Sequence, residues 1–322
     1  MRVLEEFLKP TQSGLFKMLG KFFKGKAYTS KDSFILVKGE APIMLVAHLD
    51  TVHREPVREI CKSKGGEILM SPQGIGGDDR CGVYALVNAY EMSQKKPWLL
   101  FTCDEEVGGV GAHHFCTEHS KNLLPKGLDK LKLLIEIDRR GSNDAVYYDC
   151  DNAEFEKYIS SKGFVTAYGS FSDISLVAPE LGVAAVNLSS GYYNPHTLHE
   201  YINRRELEAV LIKVVEIIAD AAQSSFPLYR YIEKVYEIRQ WAYSSFPKID
   251  TKKLSEFKDE EFYFEEKDTR RKLPSEYSEL YDELLEFYTV EELEAYRENF
   301  GDEVIYQIYI DEYGPFYAEY ER

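Results

Sequence analysis

The stretch LLFTCDEEVGGVG, residues 99–111, runs from an apolar segment into two adjacent glutamates and then into a group of glycines. The apolar part is short and is bounded by polar residues, which is typical of a buried strand. Adjacent carboxylates are common on a solvated helix but unexpected where a buried strand ends. In open α/β sheets the loops after the strands carry the functional residues. The pattern of residues 99–111 therefore predicts a buried strand of a sheet. The polar residues at its end are candidates for a functional site.

Apolar strands alternate with helical segments on both sides of this stretch. Apolar or β-branched runs bounded by Gly, Pro or Asp predict strands at residues 33–39, 42–50, 98–105, 131–138 and 182–191. Apolar residues at helical spacing predict helices at residues 4–9, 14–25, 79–96, 109–122, 153–163 and 204–223. Strands that are apolar throughout and alternate with helices are covered on both faces. The expected fold is a three-layer α/β/α sandwich with a mixed, mostly parallel sheet.

The negative charge of the chain is concentrated near its C-terminal end. The 322 residues have a net charge of −16, yet residues 251–322 hold 22 acidic and 9 basic side chains, against 33 and 30 in residues 1–250. This shift predicts a nearly neutral globular domain over residues 1–225 and an acidic, Tyr-rich, mainly helical appendage over residues 226–322. The sequence has no basic stripe, which argues against nucleic acid as a partner. The appendage is expected to cap the first domain, to join copies of the chain or to bind a protein partner.

The sequence features that report on location favour the cytoplasm. No apolar run reaches the length of a membrane span, and the N-terminus MRVLEEFLKP has acids where a signal peptide is basic and then apolar. The five cysteines are scattered, odd in number and without a CxxC pair. This usage is typical of reduced thiols and not of a disulfide framework or a thiolate metal site. We expect a cytoplasmic protein without membrane contact.

Acids and histidines end five segments of the first domain. The segments end in His48 and Asp50, in Asp78 and Asp79, in Glu105 and Glu106, in Asp138, and in His196 and His199. Each group also has a structural interpretation: an aspartate turn, a helix N-cap, a solvated helical turn, a strand-end turn or surface histidines. Five such groups in one domain are more consistent with one shared site than with five separate structural roles. Imidazoles and carboxylates without thiolates favour zinc, cobalt or manganese.

The order of these motifs resembles that of the co-catalytic di-zinc exopeptidases, a superfamily that includes peptidase T, bacterial leucyl aminopeptidases, and the carboxypeptidase G and aminoacylase relatives. The matching text is AHLDTV, GIGGDDRCG, TCDEEVGGVGA, LIEIDRRG and YYNPHTLHEYI, in order over roughly residues 10–222. The resemblance implies two divalent metal ions, zinc in the first place and cobalt or manganese as alternatives. It implies five metal ligands: His48, Asp78, Glu106, Asp138 and His196.

The resemblance also implies how these ligands divide between the two ions. Asp78 would bridge both, which suits ions about 3.5–4 Å apart. His48 and Asp138 would complete the shell of one ion. Glu106 and His196 would complete that of the other.

The remaining acids of the motifs receive supporting or catalytic roles from the same resemblance. Glu105 would be the general base, taking a proton from the activated water and passing it to the leaving amine. The two adjacent glutamates are then one base and one ligand, and the metal charge offsets their repulsion. Asp50 would orient His48 and fix its tautomer. Asp79 would cap the helix or support the bridging carboxylate.

Two histidines compete for the last ligand position. The four-residue spacing from His196 to Glu200 is similar to the pattern of the superfamily, so His196 is favoured and His199 is interpreted as a surface residue. The glycines after the glutamates are interpreted as structural. The other histidines near the motifs are also interpreted as structural: His53, His113 and His114.

One part of the superfamily pattern is missing. Peptidase T and the carboxypeptidase G relatives carry an inserted lid or dimerisation domain after the aspartate that matches Asp138. Here only about one strand–helix unit separates Asp138 from SFSD at residues 170–173. A lid histidine that stabilises an oxyanion in some relatives is therefore lost. Tyr192 or Tyr193 is an alternative hydroxyl donor, although a core or rim position is the more ordinary interpretation of either.

Three functions are compatible with this set of residues. The first is a metal-dependent exopeptidase, an aminopeptidase acting on short peptides, because an open site with two metals suits a free α-amine. The second is an amidohydrolase or deacylase of N-acyl amino acids or related small amides, with the same chemistry and a different pocket. The third is a non-enzymatic binding protein on this scaffold. The presence of every ligand position and of the base argues against the third.

Overall fold

The computed structural model describes residues 2–169 and 171–234, together with six single helical and buried positions further along the chain: Tyr281, Leu284, Leu293, Arg297, Ile305 and Ile308. Within residues 2–234 the strands are β1 Ala27–Ser30, β2 Phe34–Val37, β3 Ile43–His48, β4 Cys61–Lys62, β5 Ile68–Met70, β6 Trp98–Thr102, β7 Leu133–Arg139, β8 Asp144–Val146, β9 Val165–Thr166, β10 Ala185–Ser189, β11 Tyr192–Tyr193 and β12 Tyr201–Asn203. The helices are α1 Glu5–Leu8, α2 Gln12–Phe22, α3 Gly77–Met92, α4 Val110–Ser120, α5 Ala153–Ser161, α6 Ile174–Leu181 and α7 Arg204–Ala221, with a 3₁₀ turn at Leu128–Lys130.

The main sheet has eight strands in the order β1-β2-β6-β3-β7-β10-β8-β9. The central pairs β6–β3, β3–β7 and β7–β10 are parallel, and so is β8–β9. The pairs β1–β2, β2–β6 and β10–β8 are antiparallel. This arrangement confirms the predicted mixed, mostly parallel sheet. It also places the carboxyl ends of β3, β6, β7 and β10 along one edge, which determines where the site forms.

Helices cover both faces of this sheet. Alternate residues of a strand point to opposite faces, so Leu45 and Ala47 of β3 pack in one core with α1, α2, α3, α5 and α7. Met44 and Val46 pack in the other core, with α4 and α6. The predicted three-layer α/β/α sandwich is therefore confirmed. Among the described residues, none of the helices combines the length and the apolar composition that crossing a membrane requires.

A second, antiparallel sheet with the order β11-β12-β5-β4 was not predicted. Its strands have two or three residues each, too few for an alternating pattern to be recognised in sequence. The sheet packs against the start of α3. A Cβ atom on Gly77 would lie 2.7 Å from the Cβ of Tyr192 and 3.0 Å from Glu200 Oε1. Glycine at this position lets α3 begin directly beside the second sheet.

The chain continues along the first domain beyond the predicted boundary at residue 225. Tyr229 is buried, its N–H donates to Lys132 O at 2.9 Å, and its carbonyl accepts from Ala184 N at 3.0 Å. The compact unit extends to Lys234. The two-region division stays a prediction, because the acidic helical appendage lies outside the described residues apart from the six helical positions.

Candidate metal centre

The predicted metal ligands meet above the carboxyl ends of the parallel strands. His48 ends β3, Asp138 lies near the end of β7, and Glu106 follows β6. Because β3 lies between β6 and β7, these three strand ends are neighbours. Asp78 comes from the first turn of α3, and His196 from the loop between β11 and β12.

Asp78 lies between two pairs of these side chains. Its Oδ1 is 3.1 Å from His48 Nε2, which is itself 3.6 Å from Asp138 Oδ1. Its Oδ2 is 3.3 Å from His196 Nε2, which is 3.3 Å from Glu106 Oε2. The carboxylate of Asp78 therefore presents one oxygen to each pair. Ligand atoms of His48, Asp78 and Glu106 all lie within 4.8 Å of one another.

Asp50 connects His48 to the two adjacent glutamates. Its Oδ1 lies 3.2 Å from His48 Nδ1 and accepts a hydrogen bond from Glu105 N at 3.1 Å. Its Oδ2 accepts from Glu106 N at 3.0 Å. Because a carboxylate at this distance accepts the Nδ1 proton, the network assigns the lone pair of His48 to Nε2, the atom that faces Asp78 and Asp138.

A buried carboxylate that sequence reasoning did not assign to the site fixes the loop before Asp78. Glu200 has no exposed surface; its Oε1 accepts from Asp78 N at 2.9 Å and its Oε2 from Gly76 N at 3.0 Å. Its Oε2 also lies 2.8 Å from His53 Nε2, a contact that supports the structural interpretation of His53. In sequence only the spacing to His196 drew attention to Glu200, since its partners are more than 120 residues away.

Asp79 supports the site through two main-chain contacts. Its Oδ1 accepts from Gly82 N at 2.9 Å, as an N-cap carboxylate does, and its Oδ2 accepts from His48 N at 3.3 Å. The contact with Gly82 N agrees with the predicted helix cap, and support of the Asp78 carboxylate stays a prediction. The peptide bond between Asp78 and Asp79 is cis. Asp79 also offers a carboxylate oxygen within 4.8 Å of ligand atoms of His48 and Asp138.

Burial and neighbouring charges shift the pKa values of Asp138, Glu105 and His196. Burial, and then the charge of Asp78, raises the pKa of Asp138 to about 7. Burial also raises the pKa of Glu105 well above its usual range. Burial alone would lower the pKa of His196, but the carboxylates of Asp78 and Glu106 outweigh it and raise that pKa to about 12.

The donor set fits divalent cations. It offers imidazole nitrogens and carboxylate oxygens, which zinc, cobalt and manganese accept as ligands. Among the described residues Glu106 Oε1 is buried without a hydrogen-bond partner, as expected of an oxygen that faces a cation. Cations would also offset the repulsion that raises the pKa of Asp138.

His199 and the histidines interpreted as structural on α4 make contacts outside this cluster. His199 is exposed, and its N–H donates to Thr197 Oγ1 at 3.1 Å. His113 is exposed as well, and His114 Nδ1 lies 2.6 Å from Ser33 Oγ. Of the two histidines in NPHTLHE, the structure therefore brings His196 to the other predicted ligands.

The two candidate tyrosines point in different directions. The hydroxyl of Tyr192 is 3.3 Å from Asp138 Oδ1 and donates to it, and the side chain is buried. The hydroxyl of Tyr193 donates to Glu206 of α7. Only Tyr192 therefore contacts a predicted site residue.

Asn187 fixes the main chain at Asp138, a role that sequence reasoning missed. The pairing of β10 with β7 shifts register between Asn187 and Ser189. Asn187 Oδ1 accepts from Asp138 N, and Asn187 Nδ2 donates to Asp138 O, both at 2.9 Å. The carboxamide thus pairs both main-chain groups of Asp138 where the regular ladder is interrupted. Its signal in sequence is one amide residue inside an apolar strand.

Two further acids are buried on the α4–α6 side of the sheet. Glu136 and Asp173 are both 0% exposed, and they accept hydrogen bonds from Ser172 Oγ and Thr102 Oγ1. Burial raises the pKa of Glu136 well above its usual range and that of Asp173 to about 6. Raised pKa values favour neutral carboxyl groups, which are far less costly to bury than carboxylates.

Part of this chain resembles a known protein family in sequence, and several solved structures resemble it in fold. Residues 34–175 match peptidase family M28, and no curated protein sequence matches the chain. Similar solved structures include a tripeptidase from Staphylococcus aureus subsp. aureus Mu50. It is 15% identical to this chain with a TM-score of 0.53, and the alignment covers 68% of this chain and 96% of the tripeptidase chain. Aminopeptidase PepT from Bacillus cereus ATCC 10987 is 15% identical, TM-score 0.52, with coverages of 68% and 98%. An aminopeptidase from the archaeon Desulfurococcus kamchatkensis is 16% identical, TM-score 0.50, with coverages of 67% and 93%.

The matched region contains most of the site described above. Residues 34–175 include His48, Asp78, Glu105, Glu106 and Asp138. At these identities the solved structures establish the fold, and the family match adds the sequence relationship. The match to this family supports a metal-dependent peptidase. Residues 34–175, somewhat less than half of the chain, match peptidase family M28, and the fold of the chain is similar to the folds of the tripeptidase and the aminopeptidases above.

Proposed function

We propose that this chain is a metal-dependent exopeptidase that removes residues from the N-terminus of short peptides. The observation that carries this proposal is the position of Asp78, whose two carboxylate oxygens face two separate pairs of ligand side chains. A shared carboxylate between two donor pairs is the arrangement of two-metal hydrolytic sites. The M28 match supports the peptidase class.

Two divalent cations fit these donors, zinc first and cobalt or manganese as alternatives. His48 and Asp138 would hold one cation, Glu106 and His196 the other, and Asp78 both. When bound, the cations would supply an activated water and would polarise the carbonyl of the scissile bond. Asp50 keeps the lone pair of His48 on Nε2, and Asn187 keeps the main chain of Asp138 in place, so these two ligands are oriented in advance.

Glu105 is the proposed general base. Its N–H donates to Asp50, and its carboxyl group lies in a buried, acidic environment that raises its pKa. Cations beside it would lower that pKa into the range in which a carboxylate accepts a proton at neutral pH. Glu105 would take a proton from water and return it to the nitrogen of the leaving amine.

The open approach to the site favours an aminopeptidase over a deacylase in this proposal. The described residues between Asp138 and Ser172 form β8, α5 and β9, so they contain no additional lid domain. The side chain of His196 keeps 34% of its surface exposed. A short peptide can therefore approach with its free α-amine toward the carboxylates. Association of chains through the C-terminal region stays a prediction.

Metal analysis combined with a substrate panel tests this function. Purified protein should contain about two divalent cations per chain and should hydrolyse peptides with a free N-terminus faster than their N-acetylated forms. Glu105→Gln should lose hydrolysis while keeping its metal, whereas Asp78→Ala should lose both. The control is Glu59→Gln, which changes an exposed glutamate outside the site. Cleavage of N-acetylated substrates alone would indicate a deacylase instead. Normal turnover by Glu105→Gln would remove Glu105 from the mechanism.

A further inference from the structure

Gln12, in the first turn of α2, makes two hydrogen bonds with a single residue next to the site. Its Nε2 donates to Asp104 Oδ1 at 2.8 Å, and its Oε1 accepts from Asp104 N at 3.0 Å. The two residues are 92 positions apart, and Gln12 lies outside the M28 match at 34–175. One carboxamide thus holds both the main chain and the side chain of Asp104.

Asp104 directs the chain into the two glutamates. Its φ of 59° is in the left-handed region, which is uncommon for residues other than glycine but which aspartate and asparagine adopt more readily than most. The next two N–H groups, of Glu105 and Glu106, donate to the two oxygens of Asp50. The turn at residues 104–106 is therefore held by Gln12 on one side and by Asp50 on the other.

The segment just before Gln12 is tied to the helix that carries Asp78. Arg80 is 4% exposed, and its Nη1 donates to Phe7 O at 2.9 Å and to Pro10 O at 2.8 Å. The segment that leads to α2 is therefore tied to the start of α3. It also lines a cavity of about 290 Å³ together with Asp50.

We propose that Gln12 is a positioning residue for Glu105, an inference that rests on the proposed peptidase function. Gln12 keeps Asp104 in the left-handed conformation, and this conformation sets the direction of the Glu105 side chain. A general base works only within hydrogen-bond reach of the proton that it abstracts, and a displacement of about 1 Å costs up to about 100-fold in rate. The N-terminal segment, outside the matched family region, therefore completes the catalytic arrangement.

Two substitutions together can reverse the direction of the hydrogen bond between Gln12 Nε2 and Asp104 Oδ1, and this reversal tests the proposal. Gln12→Glu places two carboxylates against each other and removes the Nε2 donor. Asp104→Asn keeps a carbonyl acceptor, and asparagine tolerates positive φ. In the double variant the new amide donates to the new carboxylate, while the other carboxylate oxygen still accepts from the main-chain N–H of residue 104. The double variant therefore restores both hydrogen bonds.

Turnover and amide hydrogen exchange are the two measurements. We expect Gln12→Glu to lower kcat about 10- to 100-fold while KM changes by less than about threefold. Asp104→Asn alone should lower kcat less than Gln12→Glu does. The double variant should recover most of the kcat that Gln12→Glu loses. Exchange of the Glu105 and Glu106 amides should be faster in Gln12→Glu and return toward the wild-type rate in the double variant. Gln223→Glu, at an exposed position, is the matched control and should behave as wild type.

Two results would overturn the proposal. One is a Gln12→Glu variant with wild-type kcat and wild-type exchange at the two glutamates. The other is a double variant no better than Gln12→Glu. If the wild-type chain does not cleave peptides, the proposed function fails, and the exchange rates alone still decide whether Gln12 holds the turn of Glu105.

Discussion

At the scale of single residues, the adjacent glutamates differ in what surrounds them. Glu106 Oε2 lies beside His196, and Glu106 Oε1 is buried without a partner among the described residues, as suits a ligand. Glu105 sits in a buried environment that raises its pKa, as suits a base that must hold a proton for part of the reaction. Their main-chain N–H groups share one acceptor, Asp50, so one carboxylate sets the position of both.

Asp50 should therefore be sensitive to loss of charge alone. The two carboxylate oxygens of Asp50 accept hydrogen bonds from His48, Glu105 and Glu106. In Asp50→Asn an NH₂ group replaces one of these oxygens, so at least one of the three N–H donors then faces another hydrogen-bond donor. We expect activity or metal affinity to fall about 10- to 100-fold, the usual effect of changing a group that orients a metal ligand. Steady-state kinetics and metal titration measure this. Asp129→Asn, at an exposed aspartate, should have no effect. Equal kinetics for both variants would contradict the orienting role.

At the scale of helices and strands, sequence predicted the elements better than the contacts between them. The apolar runs that became β2, β3, β6, β7 and β10 and the helical spacing of α3 and α7 were recognised because each pattern is local. The roles of Glu200, Asn187 and Gln12 were not, because each depends on a partner 49 to 124 residues away. The second sheet was missed because its strands are too short to show a pattern.

The contact between β6 and α6 predicts a pH-dependent stability. Asp173 precedes α6, accepts from Thr102 at the end of β6, and has a pKa raised to about 6 by burial, above the ~3.9 of an unfolded chain. A folded state with the higher pKa binds the proton more tightly. The contribution of Asp173 to stability is therefore full below about pH 4 and is lost as the pH rises through about 6.

Asp173→Asn should remove this part of the pH dependence. Between pH 4 and 7 the free energy of unfolding of the wild type should fall by roughly 2–3 kcal/mol more than that of Asp173→Asn. Urea denaturation of metal-free protein at a series of pH values measures the difference, with Asp129→Asn as the control. Parallel curves for the wild type and Asp173→Asn would show that Asp173 does not titrate in this range.

At the scale of the whole molecule, the α/β/α sandwich follows from strands that are apolar throughout and alternate with helices. Its C-terminal limit was harder to predict, since residues 226–234 lack regular structure and belong to the first domain only through long-range contacts. Tyr229 packs its ring 5.1 Å from that of Phe155 and 5.6 Å from that of Phe226, centre to centre. A change in net charge along the sequence cannot reveal such packing.

Tyr229→Ala should show that residues 226–234 stabilise the first domain. The ring is buried, so its removal should lower the free energy of unfolding by about 3 kcal/mol, as for other large aromatic residues in cores. Ile232→Ala, at a side chain that is 49% exposed, should cost far less. Chemical denaturation of the full chain measures both. Equal loss in the two variants would contradict a core role for Tyr229.

The order of the ligands along the chain has a consequence for biosynthesis. His48, Asp78 and Asp138 precede His196, which comes from the loop before β12. Synthesis begins at the N-terminus, so the pair of His48 and Asp138 has been synthesised while the pair of Glu106 and His196 still lacks its histidine. Translation proceeds at about 5–20 residues per second, so the 58 residues from Asp138 to His196 correspond to several seconds. Asn187 holds the main chain of Asp138, and Glu200 holds that of Asp78, so we expect the nascent chain to bind the proposed cations only after Glu200 has also been synthesised.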